Sequence, residues 1–318
     1  MIDVVIVTAD TREMTLGCVA ALQDEALVDA LIVVDNASTD GTAEALGRQF
    51  PATRIVRLDQ GAGFAAACNR GAERGAAEHV LFLNSDILSA TGAIARLTQA
   101  LDEEPSAVAA GGRLVDSDTL RTQAAYRPRT FPSVGTLAVQ LLGVEEAWPG
   151  NPVTRRHFGS GLDETTTVPV QQPAAAALLV RRAAFERIGG FDERFWFWFE
   201  DSDLLARLHR EGEILYVPAA AFRHLGGGTF RRWSKVELIR SLHHGMLHYC
   251  DARLPRRQRA AIGLLTVAIA LPRVALFRRR RPDEAGAWRD IAGAGGALIA
   301  GRPVPPLAGT AIEAGQRA

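Results

Sequence analysis

Four times before residue 104 the chain alternates a short, β-branched apolar run with an amphipathic helical pattern. Val4–Thr8 precedes Arg12–Glu25, Leu31–Asp35 precedes Thr39–Phe50, Arg54–Leu58 precedes Phe64–Gly75, and His79–Asn84 precedes Ala90–Glu103. Runs with no polar alternation need cover on both faces, and helices provide it when they cross back over a parallel sheet. The predicted fold class is therefore α/β, a doubly wound, mainly parallel sheet. In such sheets ligands bind beyond the carboxyl ends of the strands. The polar residues that end or follow each run become candidate contacts: Thr8, Asp10, Asp35, Asn36, Ser38, Asp59 and Asn84 to Asp86.

From about Gly111 the alternation stops. Arg113–Pro173 is rich in Pro, Gly, Arg and Thr, which predicts a mixed region with long loops. AALLVRR then reads as a strand, Ala183–Ile188 as a helix, GGFDE as a turn and Ser202–Glu211 as a helix; beyond Gly226–Gly228 the chain reads as helical, with a frayed tail after Pro303. The expected organisation is a nucleotide-binding region 1–112, a catalytic and acceptor-side region 113–232 and a helical segment 233–318. Within that segment Ala260–Phe277 is apolar apart from Arg273, is interrupted by Pro272, and runs into Arg278–Arg281. It is short and broken for a membrane span. Two readings stay open: an interfacial helix with basic anchors for anionic lipid, or a core helix with a solvated basic end.

A hydrophobic fraction of 47% is ample for a core, and a formal net charge of zero gives no global attraction to nucleic acid. Cys18, Cys68 and Cys250 are isolated, so neither a disulfide framework nor a zinc site is expected. The opening MIDVVIVTAD lacks the basic stretch of a signal peptide and reads as a first strand, which implies a cytoplasmic protein.

Four constellations carry chemistry. In LIVVDNASTDGT, Asp35 ends a strand where it can accept hydrogen bonds from a base or ribose; a plain Asx turn with a helix cap explains the same residues. In VLFLNSD, Asn84 and Asp86 stand two apart at a strand end, hard oxygen ligands suited to Mg²⁺ or Mn²⁺, although Asn-Ser-Asp also caps helices. GGFDERFWFWFEDSDL sets Glu200, Asp201 and Asp203 after Phe195–Phe199. Acids beside that much apolar surface lose solvation, which raises a carboxyl pKa toward what a general base for an alcohol needs. A helix N-terminus accounts for Asp203 but not for the aromatic density, and Trp196 and Trp198 are faces on which a sugar can stack. In FRHLGGGT, His224 is a candidate metal ligand beside glycines that allow close backbone approach.

VVIVT, VVDNASTDGT, GAGFAAACNRG, FLNSD, GGFDERF…FEDSDL and HLGGGT, in that order over Met1–Arg232, resemble family-two glycosyltransferases of the GT-A fold, especially their bacterial rhamnosyltransferase-like branch. The resemblance implies an inverting enzyme that moves a sugar, L-rhamnose or a hexose, from a dTDP- or UDP-linked donor to a glycan or polyprenol-linked glycan. It implies that Thr8, Asp10, Asp35, Asn36, Ser38, Gly63, Asn69, Asn84 and Ser85 contact the donor, and that Asp86 and His224 hold a divalent ion on its diphosphate. Asp201 would be the general base, with Glu200 beside it, and Trp196 and Trp198 would meet the acceptor. Such an enzyme would work at the inner face of the plasma membrane. The chain departs from the common pattern at Ala9-Asp10, where many members have an aromatic-Asn pair, and at Asn84-x-Asp86, where many have Asp-x-Asp.

Two rival readings use the same residues. GAGFAA follows a strand and opens a helix with Asp86 downstream, as a dinucleotide fingerprint would, but it stands in the third strand-helix unit rather than the first. The other is a non-catalytic carbohydrate-binding protein on the same fold. A sugar-nucleotide pyrophosphorylase would need a glycine-rich loop after the first strand, and Thr8–Met14 has no glycine.

Overall fold

The computed structural model describes residues 1–89, 92–159, 164–226 and 233–306. Its first four strands are β1 (Ile2–Thr8), β2 (Val28–Asp35), β3 (Arg54–Arg57) and β4 (His79–Asn84). Helices α1 (Arg12–Ala20), α2 (Thr42–Gln49) and α3 (Phe64–Ala72) connect them. The expected helix Arg12–Glu25 ends five residues early and Thr39–Phe50 begins three late, because turn residues occupy both margins. After β4 come β5 (Ile87–Ser89) and α4 (Ala93–Glu103). Residues 90 and 91, the expected start of α4, lie outside the described residues.

Regular structure continues where the sequence pattern stops. The ten-residue β6 (Ala107–Asp116) runs straight through Gly111 and Gly112. After a 3-10 turn at Ala124–Tyr126 come α5 (Val134–Leu141), α6 (Val144–Ala147), α7 (Pro152–His157) and β7 (Val168–Pro169). Then follow β8 (Ala177–Arg181), α8 (Arg182–Arg187), α9 (Glu200–Leu208) and β9 (Glu213–His224). The twelve-residue β9 also has no counterpart in the sequence reading. Its Pro218 lies in a bulge, since Gly112 pairs Val217 while Arg113 pairs Ala221, and proline is tolerated in a strand at such breaks.

The strand order is β3-β2-β1-β4-β8-β6-β9-β5, with β7 on β9. The β3-β2-β1-β4 half is parallel, as expected from its crossovers. Beyond it the sheet is mixed: β8 runs antiparallel to β4 and β6, β9 is parallel to β6, and β5 is antiparallel to β9. Side chains alternate between two cores. Ile2, Val4, Ile6 and Val33 pack with Leu46, Leu97 and Leu101 on one face, and Val5, Ile32, Val34 and Val80 pack with Cys68, Phe185 and Leu205 on the other. β1, β4 and the second half of β2 are covered on both faces, which is why their sequences showed no polar alternation, whereas β3 is an edge strand with exposed arginines at both ends.

The C-terminal helices are α10 (Lys235–Arg253), α11 (Arg256–Phe277) and α12 (Pro282–Ala300). Ser234 and Glu237 form a capping box that starts α10. A third core of Leu137, Leu141, Phe195, Leu247, Trp288 and Ile291 joins these helices to α5 and to the loop before α9. The three cysteines are buried and free.

Candidate functional site

Parallel register brings the candidate residues to one end of the sheet: Thr8 stands level with Asp35, and Val7 with Asn84. Beyond these strand ends lies a cleft of about 1200 Å³, walled by the parallel half on one side and by α5 and the aromatic loop before α9 on the other.

At one end, buried Asp35 accepts a hydrogen bond from Ser38 N at 3.0 Å, and its second oxygen, 3.9 Å from Arg57 Nε, has no hydrogen-bond donor. Asp10, held at φ 51°, accepts from Thr39 N at 2.7 Å, while its own N–H donates to Ser38 Oγ. Asn36 exchanges two hydrogen bonds with the backbone of Ala62, at 2.7 and 2.8 Å, and so pins the glycine-rich loop over the end of β2. Asp10, Asn36, Ser38, Asn84, Ser85 and Asp86 all line the cleft.

At the centre, the β5–β9 pairing sets Ile87 opposite His224 and turns Asp86 toward the imidazole, with Asp86 Oδ2 at 3.4 Å from His224 Nε2. Gln123 grips His224 twice, its Oε1 2.7 Å from Nδ1 and its Nε2 donating to the backbone carbonyl at 3.0 Å. With Nδ1 turned to Gln123, Nε2 is the ring nitrogen that faces the Asp86 carboxylate, and a nitrogen and a carboxylate oxygen so placed can share a cation. Their separation is close to that of adjacent ligand atoms around an ion bound at roughly 2.1 Å. Tyr126 stands edge-on to the imidazole at 4.6 Å. Among the described residues no group of three or more His, Cys, Asp or Glu converges as a closed metal cage. The pair would instead leave most positions of a bound ion open to a substrate.

On the facing wall α9 begins at Glu200, two residues earlier than the sequence pattern suggested, so both acids of the Glu200-Asp201 pair sit in its first turn. Their environments differ. Asp201 Oδ1 accepts from Ser202 N at 2.6 Å, and Asp201 Oδ2 meets Arg129 Nη2 at 3.2 Å. Fully buried Gln172 holds Arg129 and Ser202 together, its amide oxygen 3.2 Å from Arg129 Nε and 2.7 Å from Ser202 Oγ. Glu200 is buried with one oxygen lacking any hydrogen-bond partner, and burial, followed by the charge of Asp201, pushes its pKa up to about 8. The desolvation expected from the aromatic sequence therefore falls on Glu200, while Asp201 faces the cleft paired with a guanidinium. Trp198 and Phe199 precede the helix with φ of 72° and 66°, a left-handed pair that carries the chain around the cleft edge. Trp196 and Trp198 line the cleft, and Phe197 packs edge-on against Trp233 at 5.2 Å.

Four expected donor contacts do not line the cleft; the first, Asp35, is buried behind Asn36 and Ser38 at the end of β2. Thr8 is buried in a hydroxyl cluster, 2.7 Å from Thr15 Oγ1 and 3.0 Å from Thr11 Oγ1, which in turn reaches Ser85 at 3.1 Å. It braces the strand end behind the cleft wall. Asn69 does not line the cleft, because its amide grips the turn before α9, donating to Phe191 O and accepting from Phe191 N, both at 2.9 Å. Gly63 is a contact between loops: a Cβ there would stand 2.9 Å from the backbone of Trp196, whose carbonyl accepts from Phe64 N. Of the glycine motif after His224, Gly227, Gly228 and Thr229 lie outside the described residues. Conversely, Gln123, Tyr126, Arg129, His157 and Gln172 line or brace the cleft without having been singled out from the sequence. Arg127 and Arg129 were visible as an Arg-Pro-Arg, but nothing local tells that Arg129 meets Asp201 while Arg127 pairs with Glu164 at 2.8 Å.

Residues 3–162, half of the chain, match the family model described as glycosyl transferase family 2. The chain belongs to that family. Residues 156–225 match the model described as the N-terminal domain of galactosyltransferase, a stretch that holds Gln172, Trp196, Trp198, Glu200, Asp201 and His224. A family 2 relative, the N-acetylglucosaminyl-diphospho-decaprenol L-rhamnosyltransferase of Mycobacterium tuberculosis, is 34% identical over 212 residues, covering 61% of this chain and 66% of the relative. The matched part is thus just under two thirds of that relative's length. Among solved structures, S. aureus TarS 1–349 in complex with UDP-GlcNAc has a TM-score of 0.52 at 13% identity over 95% of this chain and 92% of that one. GalNAc-T7 with UDP, GalNAc and Mn²⁺ has a TM-score of 0.53 at 14% identity, over 70% of this chain and 43% of that one. Such low identities establish the shared fold, that of GT-A glycosyltransferases.

Proposed function

We propose that this chain is an inverting glycosyltransferase that moves a sugar from a nucleoside diphosphate donor to a hydroxyl of a glycan or polyprenol-linked glycan. The observation that carries this reading is that one cleft is lined by the strand-end set Asp10, Asn36 and Ser38, by the Asp86–His224 pair and by the Glu200-Asp201 pair. A donor laid along it would meet these in the order base, diphosphate, sugar.

Asn36 and Ser38 line the base and ribose end in this reading, and Asp35, buried behind them, holds Ser38 in place by accepting from its backbone N–H. Asp86 and His224, oriented by Gln123, hold a divalent ion, Mg²⁺ or Mn²⁺. An ion held there would supply positive charge against the charge that develops on the departing nucleoside diphosphate. Trp196 and Trp198 shape the sugar and acceptor space and exclude water. Asp201 takes the proton from the acceptor hydroxyl as that oxygen bonds to the anomeric carbon; the diphosphate oxygen leaves with its electron pair, and configuration inverts in the single displacement. Glu200 keeps its own proton at neutral pH, so the negative charge of the acidic pair resides on Asp201. Arg129 and Ser202 fix that carboxylate from two sides.

The rhamnosyl donor and decaprenol-linked acceptor named for the mycobacterial relative make dTDP-rhamnose and a lipid-linked N-acetylglucosamine the first substrates to try. The UDP-sugar complexes of fold relatives make UDP-hexoses the second. The reading also sets the enzyme at the cytoplasmic face of a membrane. The test is sugar transfer by the wild type and by Asp201→Asn. The variant should lose transfer by a factor on the order of 10³ or more while the thermal shift given by the nucleotide sugar persists. Joint loss of both would make Asp201 a donor contact instead, undiminished transfer would take the base role away from Asp201, and a wild type that binds the nucleotide sugar without transferring it would leave a carbohydrate-binding protein.

A further inference from the structure

Helix α11 has two faces, and both are apolar. One packs on α12, where Gly263 and Gly295 bring the two backbones together and Ile262, Thr266 and Ala270 are buried. The opposite face carries Ala261, Leu264, Ala268, Leu271, Ala275 and Leu276, all exposed. Steps of three and four residues place Ala261 to Ala275 in one stripe, about 21 Å long at 1.5 Å per residue, with Leu276 beside its end. Leu264, Leu271 and Leu276 are 59%, 54% and 70% exposed, where a helix packed on a soluble protein normally turns charged residues to water. Arg273, the one charge within the apolar stretch, is drawn off the stripe: its guanidinium lies 4.8 Å over the ring of Trp288 on α12 and donates to Ile269 O. The helix meets the length and composition of a membrane span, but its packing on α12 holds it to the protein along one side.

Charge selects the occupant of this stripe. Between Arg256 and Arg281 there are eight arginines and no acidic residue. Arg256 and Arg257 stand exposed before the stripe, and Arg278–Arg280 stand exposed after it. A second copy of the chain is disfavoured, since pairing two such helices in either direction sets arginines against arginines. A bilayer bearing anionic headgroups satisfies both parts, taking leucines into the acyl boundary and arginines at the phosphates.

We propose that the exposed face of α11 is an in-plane docking surface for anionic membrane. Helix α5 connects it to the cleft, since its Leu137 and Leu141 pack in the core shared with α11 and α12 while its Thr136, Leu137 and Gln140 line the cleft wall. A headgroup-linked sugar rising from the docked membrane therefore reaches the acceptor side one helix away. That consequence rests on the lipid-linked acceptor of the proposed function; the docking itself does not.

The experiment is flotation of the full chain with vesicles of phosphatidylcholine alone or mixed with phosphatidylglycerol, beside a combined Leu264→Gln, Leu271→Gln, Leu276→Gln variant and a combined Arg278→Gln, Arg279→Gln, Arg280→Gln variant. All six positions are exposed, and unchanged circular dichroism melts would confirm that both variants fold. Wild type should float with the anionic vesicles and lose binding as salt rises. Each variant should bind roughly tenfold or more weakly. Wild type that stays in solution at low salt, leucine substitutions without effect, or equal binding to neutral vesicles would each overturn the proposal. So would a dimer by light scattering that the leucine variant converts to monomer, which would assign the stripe to a second copy. With dTDP-rhamnose as donor, the leucine variant should still glycosylate N-acetylglucosaminyl-diphospho-decaprenol in detergent and fail when that lipid is in vesicles. Flotation without transfer in either form would sink the substrate reading and leave the docking surface standing.

Discussion

Glu200 and Asp201 are neighbours in sequence with opposite surroundings, and this difference is measurable. The folded pKa of Glu200, about 8, lies above its unfolded value. Between the two values the unfolded chain has released a proton that the folded chain still holds, so the contribution of Glu200 to stability falls as pH rises from the ordinary glutamate range toward 8 and is flat beyond it. Glu200→Gln keeps the shape and removes the titration. Melts recorded from pH 5 to pH 9 should show the variant gaining on wild type steadily up to about pH 8, by a few kcal/mol at most; parallel curves would mean that Glu200 is ionised in the fold. Gln123 gives a second residue-scale test. Because it touches His224 and not the cation position, Gln123→Ala should raise the Mn²⁺ or Mg²⁺ concentration needed for half-maximal turnover by about 10–100-fold while turnover at saturating metal largely recovers. Loss that excess metal does not restore would make Gln123 a substrate contact. Turnover undiminished in excess EDTA would reduce the Asp86–His224 pair to an ion pair with a protonated imidazole.

At the scale of elements, the cleft is built where loops from distant parts of the chain touch, and Gly63 is one such point. Its lack of a side chain lets the loop after β3 lie against the backbone of Trp196, with Phe64 N bonded to Trp196 O at 2.8 Å. Gly63→Ala should push the aromatic loop outward, cost about 1–3 kcal/mol and lower transfer more than nucleotide binding. Equal losses in both, read by kinetics and thermal shift, would make the loop a donor contact after all. The same contact shows what was legible in the sequence. Strands β1, β2 and β4 were, because burial on both faces leaves a local signature of uninterrupted Val, Ile and Leu, and β3 was read from its place between two helical patterns. Asp35, Asn84 and Asp86 followed, since they end those strands. β6 and β9 were hidden, the first by paired glycines and the second by Pro218 in its bulge, and without them nothing predicted that Gln123 would hold His224. Arg129 was illegible for the same reason: its partners Gln172 and Asp201 are 43 and 72 positions away, brought close by packing that no local pattern encodes.

On the scale of the whole molecule, the question is whether the C-terminal helices form one cooperative unit with the sheet. Asp203, fully buried on α9, accepts from Arg207 Nε at 2.8 Å within its own helix and from Arg253 Nε at 2.6 Å at the end of α10. Arg207 also donates to the carbonyl of Ile188 at 3.0 Å, tying in the turn that Asn69 grips from the other side. One carboxylate thus links α9, the turn beside the cleft and the helical layer that carries α11. Replacing it leaves two half-buried guanidinium groups facing each other without a counter-ion, which costs about 3–5 kcal/mol for a pair broken on one side. Asp203→Ala should therefore shift a single cooperative denaturation midpoint, seen alike by far-ultraviolet circular dichroism and by tryptophan fluorescence. Asp203→Asn should recover part of the loss, since its amide oxygen still accepts one of the two donors. A variant that instead melts in two steps, with the helical signal lost first, would show that α10 to α12 fold apart from the sheet and that Asp203 is the clasp between two bodies.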